Sequence, residues 1–177
     1  MDITELERCI NRYGKEIYSF CRQLTGSKYE ADELYQDTFF KSVEMQERIL
    51  AESNPKSYLL SIAVRLWNNK RRKYAWRKKI AGMESLTEEK QDCLQGEISS
   101  PLEQIIEKEQ AVILRKKINE LEDKYRIPIY LYYMEELPIQ DIAKILKLPK
   151  GTVKSRLFRA RELLKKKLEG EWINYER

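Results

Sequence analysis

The sequence predicts an all-α protein of two small helical domains joined by a flexible linker. Apolar residues recur every three or four positions through most of the 177 residues, which is the period of a helix with one buried face. No stretch alternates apolar and polar residues as a half-buried strand does. Near the middle, GMESLTEEKQDCLQGEISS has two glycines, an acidic bias and no sustained period, which favours a linker over a long loop within one domain. The predicted domains are residues 1–81 and 102–177, with the linker over 82–101.

The first domain is predicted to begin with a long amphipathic helix. Its buried stripe steps by threes and fours from Ile3 to Leu24, and Gly26 ends it. Ser27 followed by Glu30 is typical of a helix start, so a second helix is expected in SKYEADELYQDTFFKSVEM.

A third helix is predicted from Pro55, because proline suits the first turn, where no backbone N–H is needed. Beyond Leu66 this helix becomes basic and aromatic in WNNKRRKYAWRKK, and residues 54–81 hold nine basic residues and no acidic one. Basic helices with aromatic rings suit unstacked, single-stranded nucleic acid. The alternative is that these rings have structural roles. A core position is favoured for Trp67, whereas Trp76 either stacks on nucleic acid or covers the end of the domain.

The second domain is predicted to open with a helix after Pro101, in PLEQIIEKEQAVILRKKINEL. An apolar segment follows in EDKYRIPIYLYYMEE. Pro128 lies inside it and removes a helical hydrogen bond, so we expect it either within the first turns of a helix or at a kink.

A helix-turn-helix is predicted next. Pro138 opens the short helix IQDIAKIL, Lys147 and Leu148 form a tight turn, and Pro149 opens a basic amphipathic helix. The second helix of such a motif enters the major groove of DNA near its N-terminal end. The stripe that a core would bury consists of Val153, Leu157, Ala160, Leu164 and Leu168.

The opposite face of this last helix suits duplex DNA. Lys154 and Arg159 can reach phosphates or guanine edges, and Ser155 can donate to either. Phe158 can cover a thymine methyl group, which explains an aromatic side chain on a wet face. Packing of Phe158 against a neighbouring helix is the alternative. Lys166 lies far along the helix and is interpreted as part of a solvated tail.

Composition argues against enzymes and metalloproteins. The chain has no histidine, which removes the commonest general base, and its three cysteines have no metal-ligand spacing. No phosphate-binding loop or nucleophile elbow is present. We therefore expect no catalytic residue, metal, cofactor or small-molecule substrate. The N-terminus does not resemble a signal peptide and no apolar run reaches membrane-spanning length, so the expected location is the cytoplasm.

Several segments together resemble one known family. GTVKSRLFRARELLKKKL after IQDIAKILKLP looks like the region 4 helix-turn-helix of extracytoplasmic-function sigma factors. EADELYQDTFFKSV resembles their region 2.2, and PKSYLLSIAVRLWNNKRRK resembles regions 2.3 and 2.4. The resemblance covers nearly the whole chain in the family's order. It implies a region 2 helical bundle and a region 4 helix-turn-helix that direct promoter-specific transcription by RNA polymerase.

The resemblance also implies site residues. Those expected to bind core polymerase are Glu33, Gln36, Asp37 and Phe40. Those expected at the minus-ten element are Ser53, Asn54 and Lys56, in a loop that captures a flipped base, and Arg65, Asn69, Arg72, Lys73 and Trp76, along the opened strand. Those expected at the minus-thirty-five element are Lys150, Thr152, Lys154, Ser155, Phe158 and Arg159. Many family members have asparagine in place of Arg65, which leaves the DNA contact of that position open.

The implied partners are core RNA polymerase, through its β′ clamp helices and β flap, and promoter DNA. An anti-sigma factor is also expected, and such inhibitors are often membrane-bound. One alternative is a helix-turn-helix regulator that acts without polymerase, which would bind a palindrome as a dimer. A second is an interaction protein with no promoter selectivity.

Overall fold

The structure is a computed structural model, and it describes residues 3–44, 54–81 and 101–175. Seven α-helices and one π-helical turn occur in these ranges, without a strand, which confirms the predicted fold class. The helices are α1 (Ile3–Thr25), α2 (Lys28–Glu44), α3 (Pro55–Ala81), α4 (Pro101–Asn119), α5 (Asp123–Ile129), α6 (Ile139–Leu146) and α7 (Lys150–Tyr175), and the π turn (Tyr130–Met134) follows α5. No helix in the described ranges is long and apolar enough to cross a membrane.

The chain divides into two compact units. The first contains α1, α2 and α3, and the second contains α4, α5 and α7. The predicted linker over 82–101 falls almost wholly outside the described residues, so the domain boundaries stay a prediction. Its last residue, Pro101, already belongs to α4, in keeping with the preference of proline for the first helical turn.

In the first unit, each of the three helices packs against the other two. Ile17, Phe20 and Leu24 of α1 are buried, as the stripe predicts. Burial fades toward the start of this helix, where Ile10 is 37% exposed. Trp67 of α3 is buried, which confirms the core position favoured for it.

Aromatic side chains fix the contact between α1 and α2. The Tyr35 ring meets Tyr18 and Phe39 edge-on, with centroids 5.5 and 4.9 Å away. The Tyr18 hydroxyl donates a 2.7 Å hydrogen bond to Asp32. A Cβ atom at Gly14 would lie 2.9 Å from the Tyr35 hydroxyl, so glycine is what lets this ring approach α1.

Pro128 lies near the end of α5, directly before the π turn. A wider helical turn follows it, in which the Glu135 N–H donates to the Tyr130 carbonyl at 3.1 Å, five residues back. The side chain of Arg126 is buried and donates to Asp123 at 2.6 Å. Pro128 is the sixth residue of α5, so it lies within the first two turns of this helix, which is one of its two predicted settings.

The helix-turn-helix has the predicted order of a short helix, a three-residue turn and a long basic helix. Each proline lies one residue before its helix and accepts the first helical hydrogen bonds, at 3.1 Å from Ile142 to Pro138 and at 3.1 Å from Val153 to Pro149. Lys147 forms the turn with φ = 53°, a left-handed conformation that non-glycine residues seldom adopt.

Candidate nucleic-acid interface

The predicted DNA-reading face of α7 is exposed. Val153 and Leu157 are buried on one side of the helix, whereas Phe158 on the other is 60% exposed. Packing of Phe158 against a neighbouring helix, the alternative considered from the sequence, is therefore wrong for the described residues. The minus-thirty-five candidates that are exposed with Phe158 are Lys150, Lys154, Ser155 and Arg159.

Thr152, the remaining candidate on α7, is half-buried. Its carbonyl oxygen accepts a 3.0 Å hydrogen bond from the Ser155 hydroxyl. Apart from its chain neighbours and the nearby backbone of α7, no atom lies within 4 Å of the place where a Cβ of Gly151 would be, so the backbone at the start of α7 is open to a close partner. This helix start combines an exposed backbone, cationic side chains and one exposed ring.

Four minus-ten candidates on α3 form one stripe. Arg65, Asn69, Arg72 and Trp76 follow the i, i+4, i+7, i+11 spacing, which places them on one helix face over about 16 Å. Arg72 donates a 2.7 Å hydrogen bond to the Asn69 amide oxygen. Trp76 is 66% exposed, so it does not cover the domain, and the structural alternative considered for it is wrong.

The end of α3 extends this surface. Every residue from 71 to 80 is exposed, including Lys73, which lies about 80° around the helix from Arg65. This segment holds six basic residues and no acidic one. Buried Trp67 instead supports the helix from within, with the Arg71 guanidinium 5.8 Å from its ring centroid. The structure thus separates a core tryptophan from an exposed one within a single basic helix.

The predicted base-capture loop is described only in part. Ser53 lies outside the described residues. The Asn54 side-chain oxygen accepts a 3.1 Å hydrogen bond from the Ser57 N–H, which makes Asn54 the N-cap of α3. Lys56 is half-buried and forms an ion pair with Glu16 of α1. Asn54 and Lys56 therefore both have structural partners in addition to any role at DNA.

The polymerase-binding candidates lie on one exposed face of α2. Glu33, Gln36, Asp37 and Phe40 follow helical spacing, and Phe40 is 69% exposed. We call these four residues the α2 face. An exposed phenylalanine among acidic and polar groups is costly in water and suits a partner with basic and apolar groups.

Lys70 of α3 contacts this face from the side. Its ammonium group lies 2.7 Å from a Glu33 oxygen and 3.1 Å from a Glu30 oxygen. Partial burial lowers the pKa of Lys70, but the hydrogen bonds to Glu33 and Glu30 outweigh that effect, so the pKa is raised overall. In the sequence, Lys70 belongs to the basic segment after Leu66, and no local pattern indicates this pairing.

Two further features of the structure were not predicted from the sequence. The cap at Asn54 has a readable signal, since asparagine directly before proline at a helix start is typical of an N-cap. The π turn exposes Tyr132, Tyr133 and Met134, and Arg161 of α7 donates to the Tyr133 hydroxyl at 3.4 Å. Helical periodicity alone carries no signal for that exposure. Among the described residues, no group of three or more potential metal ligands occurs.

Comparison with known proteins locates two family matches on these units. Residues 9–77 match the family described as Sigma-70 region 2, and residues 111–164 match the one described as Sigma-70, region 4. In fold, the chain is similar to the sigma factor RpoE from Bartonella quintana, solved in complex with the anti-sigma factor NepR. The TM-score is 0.76 at 22% identity, covering 94% of this chain and 98% of that one.

Two curated relatives extend over most of the chain. The extracytoplasmic-function (ECF) RNA polymerase sigma factor SigW of Bacillus subtilis is 32% identical over 163 residues, covering 90% of this chain and 86% of SigW. SigM of the same organism is 28% identical over 160 residues, covering 90% and 93%. Sigma factors direct RNA polymerase in transcription initiation and are not enzymes. From the identity with SigW across both chains and the two region matches, we conclude that this protein belongs to the extracytoplasmic-function sigma factors.

Proposed function

We propose that the chain binds core RNA polymerase through the α2 face and recognises a two-part promoter through α3 and α7. The observation that carries this proposal is that the first unit has two surfaces of opposite charge, the α2 face and the stripe on α3. The α2 face is acidic and polar with one exposed ring, whereas the α3 stripe is basic with an exposed tryptophan. One surface suits a basic protein and the other suits a nucleic acid strand.

At the minus-thirty-five element, α7 enters the major groove of duplex DNA. Lys154 and Arg159 contact phosphates or guanine edges, and Ser155 exchanges its internal hydrogen bond for one to the DNA. Phe158 covers a thymine methyl group. Lys150 and Thr152, at the start of α7, contact the DNA backbone where Gly151 leaves room for close approach.

At the minus-ten element, the α3 stripe holds the opened strand. Trp76 offers a stacking surface, and Arg65, Arg72 and Lys73 offer charge to the phosphates. The loop before α3, which includes Ser53, Asn54 and Lys56, captures a flipped base. Flipping costs a few kcal/mol, which contacts in the pocket offset.

The proposed protein partners are the β′ clamp helices at the α2 face and the β flap at the second unit. Similar proteins have been solved with anti-sigma factors: RpoE with NepR, and CnrH with the cytosolic domain of CnrY. By analogy we propose that this chain acts in the cytoplasm and that an anti-sigma factor binds it and holds it inactive. Such inhibitors are often membrane-bound.

A regulator that acts without polymerase is the competing function. It accounts for α6 and α7 equally well, since a helix-turn-helix needs only duplex DNA. It gives no role to the exposed Phe40 beside Asp37 on α2, or to the exposed Trp76 at the end of α3. Those two surfaces are what favour the polymerase-dependent function.

Run-off transcription with purified core polymerase on a promoter library tests the proposal. The intact chain should direct initiation from templates that share two spaced elements. The double variant Gln36→Ala, Asp37→Ala should fold normally, because both side chains are exposed, yet fail to bind core. Binding of duplex DNA by the intact chain without recruitment of core would establish the plain regulator instead.

A further inference from the structure

The ion pair between Lys70 and Glu33 joins two surfaces that the proposed function treats separately. Lys70 lies on α3, between Arg65 and Trp76 of the α3 stripe in sequence, and Glu33 belongs to the α2 face. On the helix, Lys70 is turned about 140° from Arg65, so it is directed toward α2 and away from the stripe. Its ammonium group contacts two carboxylates, those of Glu33 and Glu30.

Glu33 differs from its neighbours on the α2 face in this respect. The side chain of Glu33 is 49% exposed and carries a cation at hydrogen-bond distance. Among the described ion pairs, Asp37 takes part in none, although it lies four residues further along the same face. A basic side chain arriving from core polymerase therefore finds Asp37 unoccupied and Glu33 already engaged.

The second carboxylate gives Lys70 an alternative partner. Glu30 lies one turn before Glu33 on α2, and its oxygen is already 3.1 Å from the ammonium group. If a basic side chain of polymerase binds Glu33, the Lys70 ammonium group can remain paired with Glu30. No unpaired charge is left behind, so the exchange avoids the large penalty of stranding a partly buried ion.

We propose that Lys70 is a positioning residue that competes with core RNA polymerase for Glu33 and transfers to Glu30 when core binds. This inference rests on the proposed function, because it takes Glu33 to be a core contact. As a consequence, Lys70 lowers the affinity of the chain for core polymerase. Its positive charge offsets that of Glu33, one of the two negative charges, Glu33 and Asp37, that would attract a basic partner. The affinity for core is then set jointly by α2 and by a residue of the DNA-binding helix.

Substitution of Lys70 by methionine tests the competition, with binding of the labelled full-length chain to purified core measured without DNA. Lys70→Met should raise the affinity for core about two- to fivefold, the range expected when an exposed ion pair no longer competes. Lys28→Met is the matched control: it removes the same charge from an exposed site at the start of α2 that lies off the α2 face. It should leave the affinity unchanged. Helicity and melting temperature confirm that each variant folds.

Two further variants separate the possible outcomes. Glu33→Gln should weaken core binding, and Lys70→Met added to it should bring no gain. Glu30→Gln keeps Lys70 but removes its alternative partner, so it should weaken core binding, and that loss should shrink once Lys70 is also replaced. If Glu33→Gln weakens binding while Lys70→Met leaves it unchanged or weaker, the competition is refuted and the α2 face stands. If Glu33→Gln has no effect, the assignment of Glu33 to the core contact fails and the inference fails with it.

Discussion

The hydroxyl group of Tyr130 donates a 2.8 Å hydrogen bond to the side-chain oxygen of Asn119, which joins the π turn to the end of α4. Tyr130 is fully buried and is among the largest buried side chains of the protein. A second bond ties the same region to α7, where Lys167 contacts Glu120 at 2.7 Å and lowers the pKa of that carboxyl. The end of α4 is thus fixed from two sides.

Tyr130→Phe should destabilise the second unit by about 1 to 2 kcal/mol. The change removes one partly buried hydrogen bond at a fully buried side chain, while the ring volume is kept. Urea unfolding of the intact chain and of the variant measures the difference in the free energy of unfolding. Tyr132→Phe, at an exposed position of the same turn, should change it little. Equal stability of all three proteins would contradict a structural role for the Tyr130 bond.

The same tyrosine should make stability depend on alkaline pH. Burial raises the pKa of Tyr130 from 10.0 to about 12. A raised pKa means that the folded state holds the proton more tightly, so the contribution is complete below pH 10 and is lost as the pH rises toward 12. The loss amounts to at most roughly 3 kcal/mol, from two pKa units. The stability gap between the intact chain and Tyr130→Phe should therefore stay constant below about pH 10 and narrow as the pH rises from there toward about 12. A gap that stays constant would contradict it.

Asn54→Ala should lower stability by about 0.5 to 2 kcal/mol, because α3 loses its N-cap. Asn54→Ser restores a capping oxygen but shortens the side chain, so it should recover most of the stability. Thermal unfolding measures the cap, and promoter melting by the reconstituted holoenzyme measures the proposed base capture. If the serine variant recovers stability and still melts promoters poorly, Asn54 has both roles. Full recovery of both would leave it the capping role alone.

Helical periodicity made the fold predictable from the sequence, because each long helix buries one continuous stripe. Phe20 and Val153 lie where their stripes place them, and four of the five prolines, all but Pro128, mark helix starts to within one residue. The π turn was not predictable in this way, because its five-residue hydrogen bond depends on how Tyr130 packs in the second unit. Exposure of Phe158 and Trp76 was likewise open until the surrounding helices were in place.

The positions of the candidate site residues were predictable only where the spacing of residues along one helix determines which face they share. The spacing of Arg65, Asn69 and Arg72 fixes their common face without reference to other helices. The partner of Lys70 lies 37 residues away, on another helix, so composition grouped Lys70 with the nucleic-acid cluster. Packing of α2 against α3 decides that contact, and no local pattern reports it.

Substitution by alanine should have different effects at the two tryptophans of α3: loss of stability at Trp67 and loss of strand binding at Trp76. Trp67→Ala should cost about 3 to 5 kcal/mol of stability, because it empties a core position. Trp76→Ala should leave stability within about 0.5 kcal/mol and weaken holoenzyme binding to minus-ten single strands by about 1 to 3 kcal/mol. Calorimetry and strand binding in fluorescence anisotropy measure the two effects. Strand binding that survives Trp76→Ala intact would remove this ring from the proposed minus-ten surface.

Phe158→Ala should alter promoter choice without altering the fold. The side chain is 60% exposed, so its loss should change stability by less than about 0.5 kcal/mol. If Phe158 covers a thymine methyl group, the change should cost about 1 to 3 kcal/mol at one base pair and relax selectivity there. Holoenzyme binding to minus-thirty-five duplexes with single substitutions measures this cost.

Lys166→Ala is the matched control for Phe158→Ala, since Lys166 is an exposed residue of α7 that lies two turns further along the helix. A solvated lysine contributes charge but no base contact, so its loss should weaken binding slightly and equally for every duplex. The two variants thus differ in pattern as well as in size. A uniform loss for Phe158→Ala as well would mean that Phe158 supports the backbone contacts of α7, and base reading would then rest on Lys154 and Arg159.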